Sequence, residues 1–193
     1  MKKKDIRVNG DKMKKALIMT FSKYQDHEVI YPYYRLLEEE FEVDIMADKI
    51  GRIHGILGTY MESTRQVSEL HDNFKAFMDE YDLLVIPGGV KSLEKLRQER
   101  QVLDFIHQWD KEGRVIACIC HGAQLLISAK VTNGRKISGY YSIKDDIENS
   151  GAKYVDAEAV VSDNIITCPH YKWMGQWMLA SLKVYNDWAL ENK

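Results

Sequence analysis

Cys120 is the residue in this chain best placed to do chemistry. It stands between an apolar run, Val115-Ile116-Ala117-Cys118-Ile119, and a segment with helical spacing, Ala123-Gln124-Leu125-Leu126-Ile127, with only His121 and Gly122 intervening. A strand that passes into a helix with no loop must bend at one residue. Small residues at Cys118 and Gly122 complete the pattern small-x-nucleophile-x-small of a nucleophile elbow, with sulfur in place of a hydroxyl. At such a turn the side chain stands above the carboxyl edge of a sheet, where the N–H groups and dipole of the following helix favour a thiolate. The N–H of His121 and its neighbours are expected to hold an oxyanion formed when the sulfur attacks a carbonyl, and Gly122 to allow backbone and substrate to approach closely. The competing reading is a buried structural cysteine.

The elements that must position this turn are legible as hydrophobic patterns. Ala16 to Met19 reads as a buried strand and Glu28 to Glu40 as a helix with Val29, Tyr33, Leu36 and Leu37 on one face. Phe41 to Met46 reads as a strand, Asp48 to His71 as a mixed segment with a short hairpin, and Asn73 to Glu80 as a helix. Strand Leu83 to Ile86 breaks at Pro87-Gly88-Gly89, residues 92 to 112 form one or two helices, and Arg114 to Ile119 leads to the elbow. This βαβαβ order predicts a parallel sheet with helices on both faces. Further on come a strand at Lys136 to Gly139, a helix at Ile143 to Asn149, a β-rich stretch from Tyr154 to Thr167 turning at Ser162-Asp163-Asn164, and a long final helix whose Met174, Trp177, Met178, Leu182 and Tyr185 form a core stripe. Gly88 and Gly89 end their strand on the same sheet edge as Cys120, where their backbone can reach a ligand. Taken alone, the pair is better explained by a tight turn needing positive φ.

Composition narrows the function classes. At 193 residues and 45% hydrophobic, the chain suits one domain, read here as 15–193 after a disordered, lysine-rich leader at 1–14. A net charge of -2, from 27 basic and 29 acidic side chains spread along the chain, excludes a nucleic-acid stripe or a membrane anchor, and no apolar run is long enough to span a bilayer. Small carbonyl compounds or peptides are the expected substrates. Three cysteines, Cys118, Cys120 and Cys168, do not make a disulfide framework and point to a reducing, cytoplasmic setting. The histidines show no zinc spacing, and neither a dinucleotide fingerprint nor a P-loop occurs, so no metal and no cofactor is expected.

Several segments in order, DHEVIYPYYRLLEEEFEV (26 to 43), VIPGG (85 to 89), ICHGAQLLISA (119 to 129) and SIKDDIENSGAKYVDAEAVV (142 to 161), give a resemblance to the ThiJ/PfpI superfamily. The chain is most similar to its PfpI-type intracellular protease and deglycase branch. The resemblance implies a flavodoxin-like three-layer α/β sandwich with a mostly parallel central sheet, Cys120 as nucleophile with His121 beside it, and a homo-oligomer, dimer or larger. It also implies a glutamate at the tip of the first strand–helix loop, where ungapped alignment places Gln25, an amide able to orient a thiol but unable to exchange its proton. The acid that the family takes from a neighbouring subunit falls at Leu93, with Glu94 one residue on. The Thr-Ser-Arg after the last strand reads Thr167-Cys168-Pro169, followed by His170. Related class I amidotransferases carry a catalytic histidine at that location, so a Cys120–His170 pair is expected; the competing reading makes His170 part of a helix cap. Asp26, His27 and Glu28 open a helix, where carboxylates suit the dipole whatever the chemistry.

These residues imply a cofactor-independent cysteine hydrolase or lyase acting on small carbonyl compounds, glycated amines or peptides through a covalent Cys120 intermediate, as a deglycase, glyoxalase or protease-like enzyme. Two alternatives stand beside it. One is a stress-response redox sensor or chaperone-like protein whose Cys120 is oxidised with little turnover. The other is a C–N hydrolase or hydratase related to the amidotransferases.

Overall fold

The computed structural model describes residues 13–192, so all but Met13 and Lys14 of the leader segment lies outside the described residues. The chain runs β1 (Lys15–Met19), α1 (Asp26–Glu38), β2 (Glu42–Ala47), β3 (Gly51–His54), β4 (Tyr60–Ser63), β5 (Arg65–Gln66), α2 (Glu69–Glu80) and β6 (Leu83–Ile86). It continues through α3 (Val90–Leu96), α4 (Arg100–Lys111), β7 (Val115–Ile119), a single 3-10 turn at Cys120–Gly122 and α5 (Ala123–Ser128). It ends with β8 (Lys136–Ile137), α6 (Lys144–Asn149), β9 (Lys153–Tyr154), β10 (Val160–Ser162), β11 (Ile165–Cys168) and α7 (Met174–Asn192).

The main sheet has the order β10-β11-β7-β6-β1-β2-β5 and is parallel except for β10, which returns antiparallel to β11 after the turn at Asp163. Its central strands are continuous apolar runs because helices cover both faces. Alternation then sorts the side chains. Ala16 and Ile18 of β1 face α1 and α7, meeting Val29, Leu36, Trp177 and Met178, whereas Leu17 and Met19 face α2 to α6 with Phe77, Leu96, Phe105 and Trp109. Trp109 and Trp177 are fully buried, and each indole N–H is bonded to a strand carbonyl, Val115 O at 3.0 Å and Ile166 O at 3.3 Å. Each ring thereby locks its helix to the sheet. This is the flavodoxin-like sandwich that the sequence implies.

Helix α2 begins at Glu69, four residues before the predicted start at Asn73. Its first turn is nucleated by the Glu69 carboxylate, which accepts the Gln66 N–H at 2.6 Å, and by burial of Leu70, signals that hydrophobic period alone does not register. The predicted hairpin is β3–β4, with Gly51 opposite Ser63 and His54 opposite Tyr60. Strands β1, β6, β7 and β11 all end at one edge of the sheet, which brings the loops after them together.

Candidate active site

Cys120 adopts φ +61°, the left-handed conformation that costs a residue with a Cβ about 1–2 kcal/mol. Its neighbours hold it there. A Cβ on Gly122 would lie 2.7 Å from the Ile86 carbonyl oxygen and 2.9 Å from Cys118 Sγ, so only glycine lets the elbow settle onto β6. A Cβ on Gly88 would lie 2.5 Å from Glu28 Oε2 and 2.9 Å from Cys120 Cβ. The elbow expected from sequence is therefore present, with Cys120 7% exposed at the foot of a cleft of about 350 Å³.

The carboxyl group at the sulfur is Glu28, not a residue at position 25. Glu28 lies on the first turn of α1, fully buried, with Oε2 accepting the Gly88 N–H at 2.7 Å, its carboxyl within reach of the Cys120 thiol, and Oε1 without a hydrogen-bond partner among the described residues. Burial pushes its pKa up to about 7, against the opposing pull of the Gly88 N–H and the thiol. Gln25 precedes the helix in an extended conformation, and its amide lies 3.3 Å from His27 Nδ1. It lines the cleft mouth rather than its floor. The signal was in the sequence: Glu28 sits one and four residues before Val29 and Pro32, both buried, and is thus a charge on an apolar stripe.

The electrostatics of the thiol differ from the expectation of a stabilised thiolate. Burial first, and then the neighbouring Glu28 charge, raise the Cys120 pKa well above that of a free thiol, while the His121 N–H pulls the other way. Helix α5 has six residues, so its dipole is weak against the desolvation. Cys120 and Glu28 therefore form a pair that at neutral pH keeps a proton mainly on the sulfur, and a thiolate is reached only by passing that proton to the Glu28 carboxylate. Cys118 lies on the opposite sheet face, and Cys168 donates its S–H to the His170 carbonyl at 3.3 Å; burial raises both thiols, Cys168 to about 12.

His121 Nδ1 is 3.4 Å from Cys120 Sγ, and its Nε2 is 3.3 Å from the Ser142 hydroxyl. Burial lowers its pKa, so the ring is neutral and turns by its Ser142 bond rather than by charge. His170 shares the cleft but is engaged as a cap: its Nδ1 accepts the Lys172 N–H at 3.2 Å, which leaves the neutral ring's proton on Nε2 and makes that edge a donor, not a base toward Cys120. Its pKa is lowered by burial and by Lys172. Glu94 is exposed on α3, its carbonyl accepting from Gln98, and is not part of the cleft lining.

The glycines divide by task. The Gly88 N–H is already taken by Glu28 and its carbonyl accepts the Gln25 N–H at 3.3 Å, so Gly88 holds the acid instead of a substrate oxyanion. Gly89, at φ +106°, allows its loop to lie against the backbone of Tyr24 and Gln25, and it lines the cleft. Gly122 provides room beneath the elbow. Sequence reasoning did not single out Ile56, Val90, Tyr140 or Tyr171, which complete the cleft walls, because residues from four separate loops carry no common spacing. Tyr140 packs 4.7 Å from His121 and 6.0 Å from His170, measured between ring centres.

A cysteine on a left-handed strand-to-helix turn, above the edge of a parallel sheet and touching a buried carboxyl group, defines an α/β protein with a cysteine elbow. The model of the DJ-1/PfpI family matches residues 14–184, and the chain belongs to that family. It is 36% identical over 168 residues to Deglycase PfpI of Pyrococcus furiosus, covering 85% of this chain and 97% of that one. It is 30% identical over 155 residues to Protein/nucleic acid deglycase 2 of Escherichia coli, covering 80% and 87%. Among solved structures it is similar to a two-domain protein from Anabaena variabilis containing DJ-1/ThiJ/PfpI-like and ferritin-like domains, with a TM-score of 0.81 and 28% identity. That match covers 88% of this chain, which spans about half (47%) of the two-domain chain.

Proposed function

We propose that the protein is a cysteine-dependent deglycase that removes carbonyl adducts from amines. The observation that carries this reading is the Glu28 carboxyl, buried at the Cys120 sulfur with a pKa near 7. It supplies the proton carrier that Gln25 could not. In the one-proton form of the pair, the Cys120 proton passes to the Glu28 carboxylate, and the thiolate so formed bonds to the carbinol carbon of the adduct as the C–N bond breaks. The nitrogen leaves with the bonding electrons and takes the Glu28 proton, yielding free amine, a hemithioacetal on sulfur and a Glu28 carboxylate. For a dicarbonyl-derived adduct, Glu28 then moves a proton from the carbinol carbon to the adjacent carbonyl carbon, while the carbinol hydroxyl proton passes to that carbonyl's oxygen. The resulting thioester is hydrolysed by water to a 2-hydroxy acid, and the pair is restored. The His121 N–H, beside the sulfur, is the donor available to the oxyanion.

The names of the relatives in Pyrococcus and Escherichia support a deglycase. The test is release of free amine and 2-hydroxy acid from the methylglyoxal adduct of Nα-acetyl-lysine. The wild-type protein is expected to turn it over, and Cys120→Ala and Glu28→Gln to lose at least about a hundredfold in kcat/KM. No release by the wild type, or undiminished release by Cys120→Ala, would overturn the reading. In the same reading the working form is a homo-oligomer in which Glu94 reaches a neighbour's cleft. Glu94→Gln is then expected to slow turnover only under conditions where the chain is associated.

A further inference from the structure

The tip of the β3–β4 hairpin, residues 55 to 59, reaches the mouth of the cleft. Ile56 lines the cleft while remaining 49% exposed, and Leu57 beside it is 63% exposed, so neither is held by burial. Their position rests on backbone anchors. Lys23 N–H donates to the His54 carbonyl at 2.6 Å, Ile56 N–H to the Tyr24 carbonyl at 3.0 Å, and Gly55 pairs with Tyr24. The remaining anchors end on one side chain. Asp26, 2% exposed, accepts the Leu57 N–H at 2.8 Å, the Thr59 N–H at 3.1 Å and the Thr59 hydroxyl. Gly55 lies so close over this carboxylate that a Cβ would be 2.2 Å from Oδ1. Burial acts to raise the Asp26 pKa, but the Thr59 and Leu57 hydrogen bonds outweigh it and hold the carboxyl below its ordinary value, so it is charged at neutral pH. Apart from its own backbone N–H, the partners of this buried carboxylate lie in one exposed loop, which explains the charge better than the helix dipole does.

We propose that Asp26 is a positioning residue that sets size selectivity at Cys120, by fastening the hairpin tip so that Ile56 stands as a wall of the cleft. The proposal rests on the reading of Cys120 as the reacting atom. Asp26 and Glu28 belong to the same turn of α1, so one short segment holds both the acid at the cleft floor and the loop at its mouth. A wall fastened by hydrogen bonds alone can admit a small aldehyde carrier and exclude a bulky one.

The test needs no turnover, so it separates this proposal from the choice of substrate. The full chain is alkylated with iodoacetamide and with a fluorescein-bearing iodoacetamide, and the rate at Cys120 is read by peptide mass spectrometry. In Asp26→Asn the bulky reagent is expected to react about tenfold faster, the equivalent of one lost charge-assisted hydrogen bond, with the iodoacetamide rate unchanged within about twofold. Ile56→Ala, which removes the wall and leaves the fastening intact, is expected to give the same change in the ratio of the two rates. Thr59→Val, which deletes one donor, serves if Asp26→Asn does not fold. A parallel change in both rates would show that Asp26 acts on the elbow itself, and an unchanged ratio in all folded variants would show that the hairpin tip is no barrier. Either result overturns the proposal.

Discussion

Replacing Glu28 by glutamine tests the electrostatic heart of the site without relying on any substrate. The rise of its pKa from 4.5 to about 7 corresponds to about 3 kcal/mol against the ionised form in the folded protein. Because the folded value lies above the unfolded one, this contribution favours folding below about pH 4.5 and is lost as the pH rises through about 7. Glutamine is isosteric, does not titrate, and can still accept the Gly88 N–H. The stability of Glu28→Gln relative to wild type is therefore expected to increase between about pH 5 and pH 8, by up to about 3 kcal/mol. For a chain of this size that is up to about 6–12 °C in Tm. The assay is thermal unfolding of both proteins across that range in matched buffers. A Tm difference that stays constant within about 1 °C would show that Glu28 ionises normally and would refute the proton-holding pair. Loss of turnover with the predicted Tm trend present would tie the same group to stability and to chemistry, as active-site strain and buried charge generally do.

Two further substitutions follow from the geometry of the elbow. Because Cys120 sits at φ +61°, Cys120→Gly is expected to be more stable than Cys120→Ala by about 1 kcal/mol, the reverse of the usual order, which denaturant unfolding of the two variants would check. Gly88→Ala places a Cβ 2.5 Å from Glu28 Oε2 and 2.9 Å from Cys120 Cβ, and is expected to cost about 1–3 kcal/mol of stability. Displacing the acid from the sulfur should also lower kcat/KM about a hundredfold, and a crystal structure of the variant would show Glu28 moved.

Much of the framework was readable because burial leaves periodic marks. The strand at Leu83 to Ile86 has the same limits in sequence and structure, since it is apolar on both faces and stops at Pro87-Gly88-Gly89. The elbow at Cys120 was readable because a strand pattern abuts a helix pattern at a cysteine between small residues. Limits set by side-chain capping, such as the start of α2 at Glu69, were not readable from periodicity. The assignment of Gln25 failed for a related reason. Positions 25 and 28 are about one helical turn apart, and which of them meets the sulfur depends on where α1 begins. The helix starts at Asp26, which turns Gln25 outward and Glu28 in.

The sequence by itself determined the cysteine elbow, the parallel α/β framework and the glycines that crowd the turn, because each follows from local pattern and steric limits. Tertiary structure alone decided what surrounds the sulfur. It brought Glu28 from α1, the Gly88 N–H from the loop after β6 and Ser142 behind His121 to one sheet edge, and it left His170 holding its own helix turn. The physical reason is that proton affinity is set by burial and by charges across the fold. No spacing along the chain records how deeply a carboxyl is buried or what lies within reach of its oxygens.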